Sequence, residues 1–315
     1  MKSTKIHEVG PRDGLQSEST LVPLDVKIRW IEGLINSGID IIQLGAFVNP
    51  KRVPQMAETE ALFRYFMQPR RKPEGVTLSA LVLNSKGLDR GLDVGVQMFC
   101  MGVSASETHS LKNTGMTPAE AQHEVLAMAR RALLAGKRVQ ASVQSAFGCG
   151  YEGPIPSEAV LNLVKAYLNV GVRCISLADS AGHGIPPQVE DLFGAIRILD
   201  PAVDLACHFH NTYGLGLANS LAALKSGVSY FESSFGGLGG CPFTKVAAGN
   251  VSTEDLVHTL QRMGRRLDID LAALIEVARQ ISEFFDRDLP SLILKAGSIV
   301  SFKGLPAKEL QHETA

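Results

Sequence analysis

The sequence predicts an α/β fold of the (β/α)8 barrel class, the TIM barrel, with a short C-terminal helical extension. Three observations lead there. Short β-rich runs alternate with helical patterns along most of the chain. Eight such runs can be counted. Most are continuous apolar stretches rather than polar–apolar alternations, as parallel strands buried on both faces require. A length of 315 residues suits one large α/β domain. The barrel is expected over residues 1–268 and the extension, packing on it, over 269–315. A doubly wound sheet is the alternative. It calls for Gly-x-Gly-x-x-Gly after the first strand, where this chain has Gly10-Pro11-Arg12-Asp13-Gly14.

The strands are expected at 6–9, 39–46, 77–83, 96–103, 139–146, 174–178, 203–208 and 228–234. The helix at 25–36 carries Val26, Ile28, Ile31, Leu34 and Ile35 at helical spacing. Residues 118–134 open with Thr117 as N-cap, Pro118 in the first turn and Glu120 three residues after the cap, a capping box. Helices at 157–169, with a serine cap, and at 191–199, 215–225 and 253–263 complete the barrel, and 271–285 forms the tail helix. Gly38, Gly136, Gly171 and Gly227 each fall just past a helix end, where a left-handed residue is wanted.

Composition narrows the function classes. Lys and Arg number 31 against 32 Asp and Glu, for a net charge of -1, so there is no basic footprint for nucleic acid and no acidic solvating tail. Hydrophobic residues at 45% and charged residues at 20% give a globular core. The five cysteines, Cys100, Cys149, Cys174, Cys207 and Cys241, are odd in number and contain no Cys-x-x-Cys pair, which points away from a disulfide framework and toward a reducing compartment. Apolar sequence begins almost at once after Met1, without a signal-peptide pattern, and no apolar run reaches the ~20 residues of a membrane span. The expectation is a soluble, cytoplasmic protein with no membrane or nucleic-acid partner.

Active sites of such barrels lie at the C-terminal ends of the strands. After the first strand, Arg12-Asp13-Gly14 is either an active-site loop or a surface turn with a solvated ion pair. After the seventh, His208 and His210 are two apart, so on a strand both imidazoles share one face and can converge on a metal; one core and one surface histidine is the plainer alternative. After the eighth come Gly236-Gly237-Leu238-Gly239-Gly240-Cys241-Pro242 and then Asn250, a glycine-rich loop whose cysteine can meet the site on closure, or else a phosphate cradle with a bystander cysteine. One carboxylate (Asp13), two imidazoles (His208, His210) and an amide oxygen (Asn250), without a thiolate, favour Mg²⁺ or Mn²⁺; zinc with three ligands and water also fits.

The motifs Glu8-Val9-Gly10-Pro11-Arg12-Asp13-Gly14-Leu15-Gln16, Val53-Pro54-Gln55-Met56, Gly148-Cys149, Ser176-Leu177-Ala178-Asp179, His208-x-His210, Gly237-Leu238-Gly239-Gly240-Cys241-Pro242 and Gly249-Asn250 before Thr253-Glu254-Asp255 run in order through the chain. In these motifs it resembles the hydroxymethylglutaryl-CoA lyase family, metal-dependent acyl-CoA lyases whose sister enzymes are the isopropylmalate, homocitrate and citramalate synthases. The resemblance implies a retro-aldol carbon–carbon lyase that releases acetyl-CoA and acetoacetate, a step of leucine degradation, in a homo-oligomer (dimer or tetramer). It implies Asp13, His208, His210 and Asn250 as ligands of the divalent cation. Arg12 is implied as the cation facing the enolate, Cys241 as a loop acid/base partner, and Asp179 as a further site carboxylate and general base. Glu8, Gln16 and Gln43 are implied as supporting residues. Two positions depart from the pattern: Gln43 and Asn211 stand where these lyases usually carry Glu and Asp. Citramalyl-CoA or a longer 3-hydroxy-3-alkylglutaryl-CoA would use the same parts. A Claisen-type synthase is the further alternative, but those enzymes commonly carry a longer C-terminal region.

Overall fold

Eight parallel strands close on themselves in the order β1 to β8, with β1 hydrogen-bonded to both β2 and β8. They are β1 Lys5–Glu8, β2 Ile41–Phe47, β3 Thr77–Val82, β4 Met98–Ser104, β5 Arg138–Gln144, β6 Cys174–Asp179, β7 Asp204–Phe209 and β8 Tyr230–Ser233. The structure, a computed structural model, describes residues 4–240, 249–297 and 299. The (β/α)8 class read from the sequence is the observed architecture, and all eight strands lie within the predicted runs or a residue or two of them.

Strands become buried on both faces because helices cover the outside while side chains fill the inside. Every residue of β2 is buried. The helix Leu24–Asn36 sets Trp30, Ile31 and Leu34 against the barrel. The capping box at Thr117 and Glu120 forms as expected and starts a helix of 17 residues, Pro118–Leu134. The helix expected from 191 instead runs Pro186–Leu199, because Pro186 in its first turn needs no amide partner. Four further helices, Thr59–Phe66, Ser85–Asp93, Glu107–Thr114 and Leu292–Ala296, escaped the sequence reading. In Ser85–Asp93 two glycines dilute the apolar pattern. They are there for contact: a Cβ on Gly87 would stand 2.5 Å from the Phe47 carbonyl oxygen, and one on Gly91 2.6 Å from the Phe99 ring.

The helix Leu271–Phe285 rests on the barrel's first helix. Phe284 meets Trp30 edge-on with ring centroids 5.4 Å apart. Beyond it, the Asp255 carboxylate accepts the Ser291 hydroxyl at 3.1 Å and the amides of Leu292 and Ile293 at 3.0 and 2.8 Å. Four of the cysteines, Cys100, Cys149, Cys174 and Cys207, are free and buried. Among the described residues no helix is long and apolar enough to cross a membrane.

Candidate active site

The strand ends at the C-terminal mouth open into a cavity of about 880 Å³. Arg12, Asp13, Gln16, Gln43, His208 and His210 all line it. Residues far apart in the chain meet there because the barrel brings the ends of β1, β2 and β7 to one mouth.

Arg12 and Asp13 sit on Gly10–Gly14, a single turn of π-helix that follows β1. Such turns are rare and favour functional sites, since the wider turn re-aims successive side chains. The Asp13 amide bonds back to the Val9 carbonyl at 2.6 Å, which fixes the turn. The Arg12 guanidinium donates through Nη1 to Asp13 and through Nε to Gln43 Oε1. Gln43 reaches inward where the β2–β3 register shifts between Gln43 and Gly45, an irregularity of the kind found beside active sites.

His208 lies in β7 and His210 just after it, in a bridge to Asn250. The spacing of two puts both rings on one face, as expected. Their Nε2 atoms stand 3.1 Å apart. Ligand atoms of Asp13, His208 and His210 all lie within 4.8 Å of one another. Asn250 donates through Nδ2 to Asp13 Oδ2 at 2.8 Å and to the Leu238 carbonyl at 3.0 Å. Its Oδ1 is buried and has no hydrogen-bond partner among the described residues. A buried carbonyl oxygen without a donor is costly. A divalent cation held by Asp13, His208 and His210 would satisfy it. The donor set of oxygens and imidazoles suits Mg²⁺ or Mn²⁺.

The electrostatics agree. Burial alone would raise the Asp13 carboxyl, but Arg12, with His208 and His210, outweighs it and holds Asp13 well below the usual carboxylate range. Burial and the neighbouring His208 push His210 down to about 4, so this imidazole is neutral, the form that binds metal.

Three expected residues do not line the cavity: Asn250, which is held against Asp13, and Glu8 and Asp179, for which strand alternation is the reason. His7 points into the barrel, its Nε2 2.8 Å from Ser79 Oγ, so Glu8 points outward. Glu8 is fully buried there: Oε1 accepts the amides of Gly10 and Phe235 at 2.7 and 3.0 Å, and Oε2 the Thr253 hydroxyl at 2.6 Å. It ties β1 to the turn after β8. Ala178 lines the cavity, so Asp179 faces away from it and accepts the amides of His183 and Gly184 at 2.9 Å each. Asp179 orders the loop after β6 and does not stand with the metal set. Cys241 lies outside the described residues.

Sequence reasoning missed Glu232. It sits within β8, buried, with Oε2 3.0 Å from His208 Nδ1, and it lines the cavity floor with Gln140 and Ser176. The signal was present: an acidic residue inside an apolar barrel strand, in register with His208 of β7.

Comparison with known proteins gives one family. The HMGL-like family model matches residues 3–281. A hydroxymethylglutaryl-CoA lyase of Bacillus subtilis is 37% identical over 290 residues, covering 92% of this chain and 96% of the relative. The human mitochondrial hydroxymethylglutaryl-CoA lyase is 38% identical over 295 residues, covering 94% of this chain and 90% of the relative. Among solved structures, an HMG-CoA lyase of Acinetobacter baumannii in complex with coenzyme A and 3-methylmalate superposes with a TM-score of 0.88 at 37% identity, over 96% of this chain and 98% of that one.

Proposed function

The chain belongs to the HMGL-like family, and we propose from that premise that it is a divalent-cation-dependent carbon–carbon lyase cleaving 3-hydroxy-3-methylglutaryl-CoA to acetyl-CoA and acetoacetate. The observation that carries the reading is the convergence of Asp13, His208 and His210 within 4.8 Å, beside Arg12, in a cavity open at the barrel mouth. Relatives at 37–38% identity over nearly their whole length carry this lyase activity in their names, and one solved neighbour holds coenzyme A.

Asp13, His208, His210 and Asn250 hold the cation, Mg²⁺ or Mn²⁺. When bound, it supplies Lewis acidity toward the oxygens of the substrate's hydroxy-acid end. The chain's own residues do the rest. Asp13 and Asn250 fix each other, so the oxygen ligands are in place before binding. Arg12 faces the thioester, where negative charge gathers as the carbon–carbon bond breaks. A guanidinium already oriented by Gln43 and Asp13 stabilises that charge without reorganising. Cys241 is the acid/base partner in this reading and takes part in the proton transfer that turns the enolate into acetyl-CoA.

Gln43 favours a second substrate to be tested beside the first. It puts a neutral amide against Arg12 where related lyases carry a carboxylate, and citramalyl-CoA uses the same bond-breaking geometry. Purified protein assayed with Mg²⁺ or Mn²⁺ decides: acetoacetate from hydroxymethylglutaryl-CoA is expected, and pyruvate from citramalyl-CoA would move the substrate assignment. Cleavage of neither ester by metal-loaded protein overturns the lyase reading.

A further inference from the structure

We infer that Glu232 is a positioning residue for the metal centre: it fixes the tautomer of His208 so that the Nε2 lone pair faces the cation. The inference rests on the metal-dependent reading above and goes beyond it, since Glu232 touches none of the expected ligand atoms on the cation side.

The geometry is specific. His208 and Glu232 are paired in register across β7 and β8, so their side chains emerge side by side into the barrel. Glu232 Oε2 lies 3.0 Å from His208 Nδ1. Its other oxygen, Oε1, accepts the Ser176 hydroxyl at 2.9 Å and the Gln140 side-chain amide. Gln140 is itself oriented, because its Oε1 takes the Cys174 thiol at 3.7 Å, which leaves its NH₂ toward Glu232. With both donors on Oε1, Oε2 is left as a pure acceptor. A pure acceptor demands a proton on His208 Nδ1. With Nδ1–H held by Glu232, Nε2 is the nitrogen left to face a cation. His210 has no such support: its Nδ1 is buried without a partner among the described residues. The two imidazoles differ in how firmly they are held, and His208 is the preorganised one. Partners of this kind orient histidine ligands and typically change metal affinity about 10–100-fold when lost.

The network makes a sharp forecast for Glu232→Gln. The new amide has one acceptor end and one NH₂ end. Turned toward Gln140, its NH₂ meets another NH₂. Turned toward His208, it meets Nδ1–H and drives that proton to Nε2, against the cation. The variant should bind metal poorly although its shape is unchanged. The reciprocal double variant Glu232→Gln with Gln140→Glu removes the conflict. A carboxylate at 140 accepts the NH₂ of the new residue at 232, whose carbonyl then takes His208 Nδ1–H, at the same net charge.

Mn²⁺ titration of the full chain, followed by the electron paramagnetic resonance signal of free Mn²⁺, tests this. Glu232→Gln is expected to weaken binding about 10–100-fold while melting as a folded protein, and the double variant to recover most of that loss. ¹⁵N-histidine spectra of the metal-free wild type should show His208, identified by its loss in His208→Ala, with the proton on Nδ1. Wild-type affinity in folded Glu232→Gln, no recovery in the double variant, or a wild-type His208 without a proton on Nδ1 would each overturn the inference while leaving the lyase reading intact. The last measurement decides even if Glu232→Gln does not fold. A wild type that binds no Mn²⁺ overturns both the metal reading and this inference.

Discussion

Asn250 and Asp13, 237 residues apart in sequence, share a hydrogen bond of 2.8 Å from Nδ2 to Oδ2. The bond joins the π-turn after β1 to the segment after β8, so the two oxygen ligands proposed for the cation are aligned by each other. The Asn250 carbonyl oxygen is left buried with no donor among the described residues. Asn250→Ala removes a ligand and the brace on Asp13 together. Mn²⁺ affinity is expected to fall at least ~10-fold. The Leu238 carbonyl also loses its donor, for about 1 kcal/mol of stability. Isothermal titration and thermal melting read the two effects separately.

His208→Ala and His210→Ala each remove one imidazole from the proposed set of four ligand side chains, three of which cluster within 4.8 Å. Both variants are expected to lose cleavage beyond what added metal restores. In the wild type, dialysis against a chelator should abolish activity, and Mg²⁺ or Mn²⁺ should return it and raise Tm, because an ion that binds only the folded chain stabilises it. Activity that survives chelation, with metal content measured, would contradict the metal-dependent reading.

Two carboxylates outside the cavity hold the turn that leads to Gly239 and Gly240. Burial pushes Glu8 up to about 8 and Glu254 up to about 7. Glu254 accepts the Gly236 amide at 2.9 Å through Oε2 and at 3.1 Å through Oε1. In the unfolded chain both would ionise near ~4.3. A group that keeps its proton longer when folded adds stability that is present below the unfolded value and is lost as pH rises through the folded one. These two groups should therefore pull Tm down as pH rises toward about 8 and add no further change above it; the contribution of the buried His208, whose pKa is also raised, is lost in the same direction above its ordinary value. The slope is roughly 1.4 kcal/mol per pH unit for each such group until it ionises. Glu8→Gln keeps a carbonyl for the amides of Gly10 and Phe235 and an NH₂ for Thr253. It should match the wild type near pH ~4 and exceed it by a margin that grows up to about pH 8. An unchanged difference across that range would refute the assignment.

The strands were legible because each is an apolar run between turn residues, and the histidine pair because a spacing of two survives any error in strand limits. What failed was the side of the strand. Glu8 and Asp179 stand at strand ends, where site residues belong, and in motifs shared with the lyases. Yet His7 and Ala178 take the inward positions, and alternation sends their neighbours out. Glu232 was overlooked for the converse reason: it hides inside an apolar strand, and its meaning comes from the β7–β8 register, which no single segment displays. The helix Ser85–Asp93 was unreadable because its glycines answer to Phe47 and Phe99, which lie elsewhere in the chain.

Gly249 shows how tightly the mouth is built. A Cβ there would lie 2.0 Å from the Gly237 carbonyl oxygen and 2.7 Å from that of Gly239. Both obstacles are backbone, so neither can swing aside. Gly249→Ala is expected to lose about 1–3 kcal/mol by overpacking and to displace Asn250, the next residue. Reduced Mn²⁺ affinity should accompany the lower Tm. A variant with normal melting and normal metal binding would show the segment to be looser than this packing indicates.

Gln43 gives the most direct handle on Arg12. The Nε–H of Arg12 has its acceptor in Gln43 Oε1, while Nη1 goes to Asp13. Gln43→Leu removes the first of these and leaves a largely buried charged donor without its partner, at about 1–3 kcal/mol. If that orientation matters mainly when charge reaches the thioester oxygen, the loss falls on kcat by about 5–100-fold at ~1.4 kcal/mol per tenfold, with KM and Mn²⁺ affinity little changed. Gln43→Glu keeps an acceptor for Nε and should retain far more of kcat than Gln43→Leu. Steady-state kinetics of the two variants beside the wild type separate orientation from charge. Equal losses in both would mean that the amide itself, rather than its bond to Arg12, is what the reaction needs at this position.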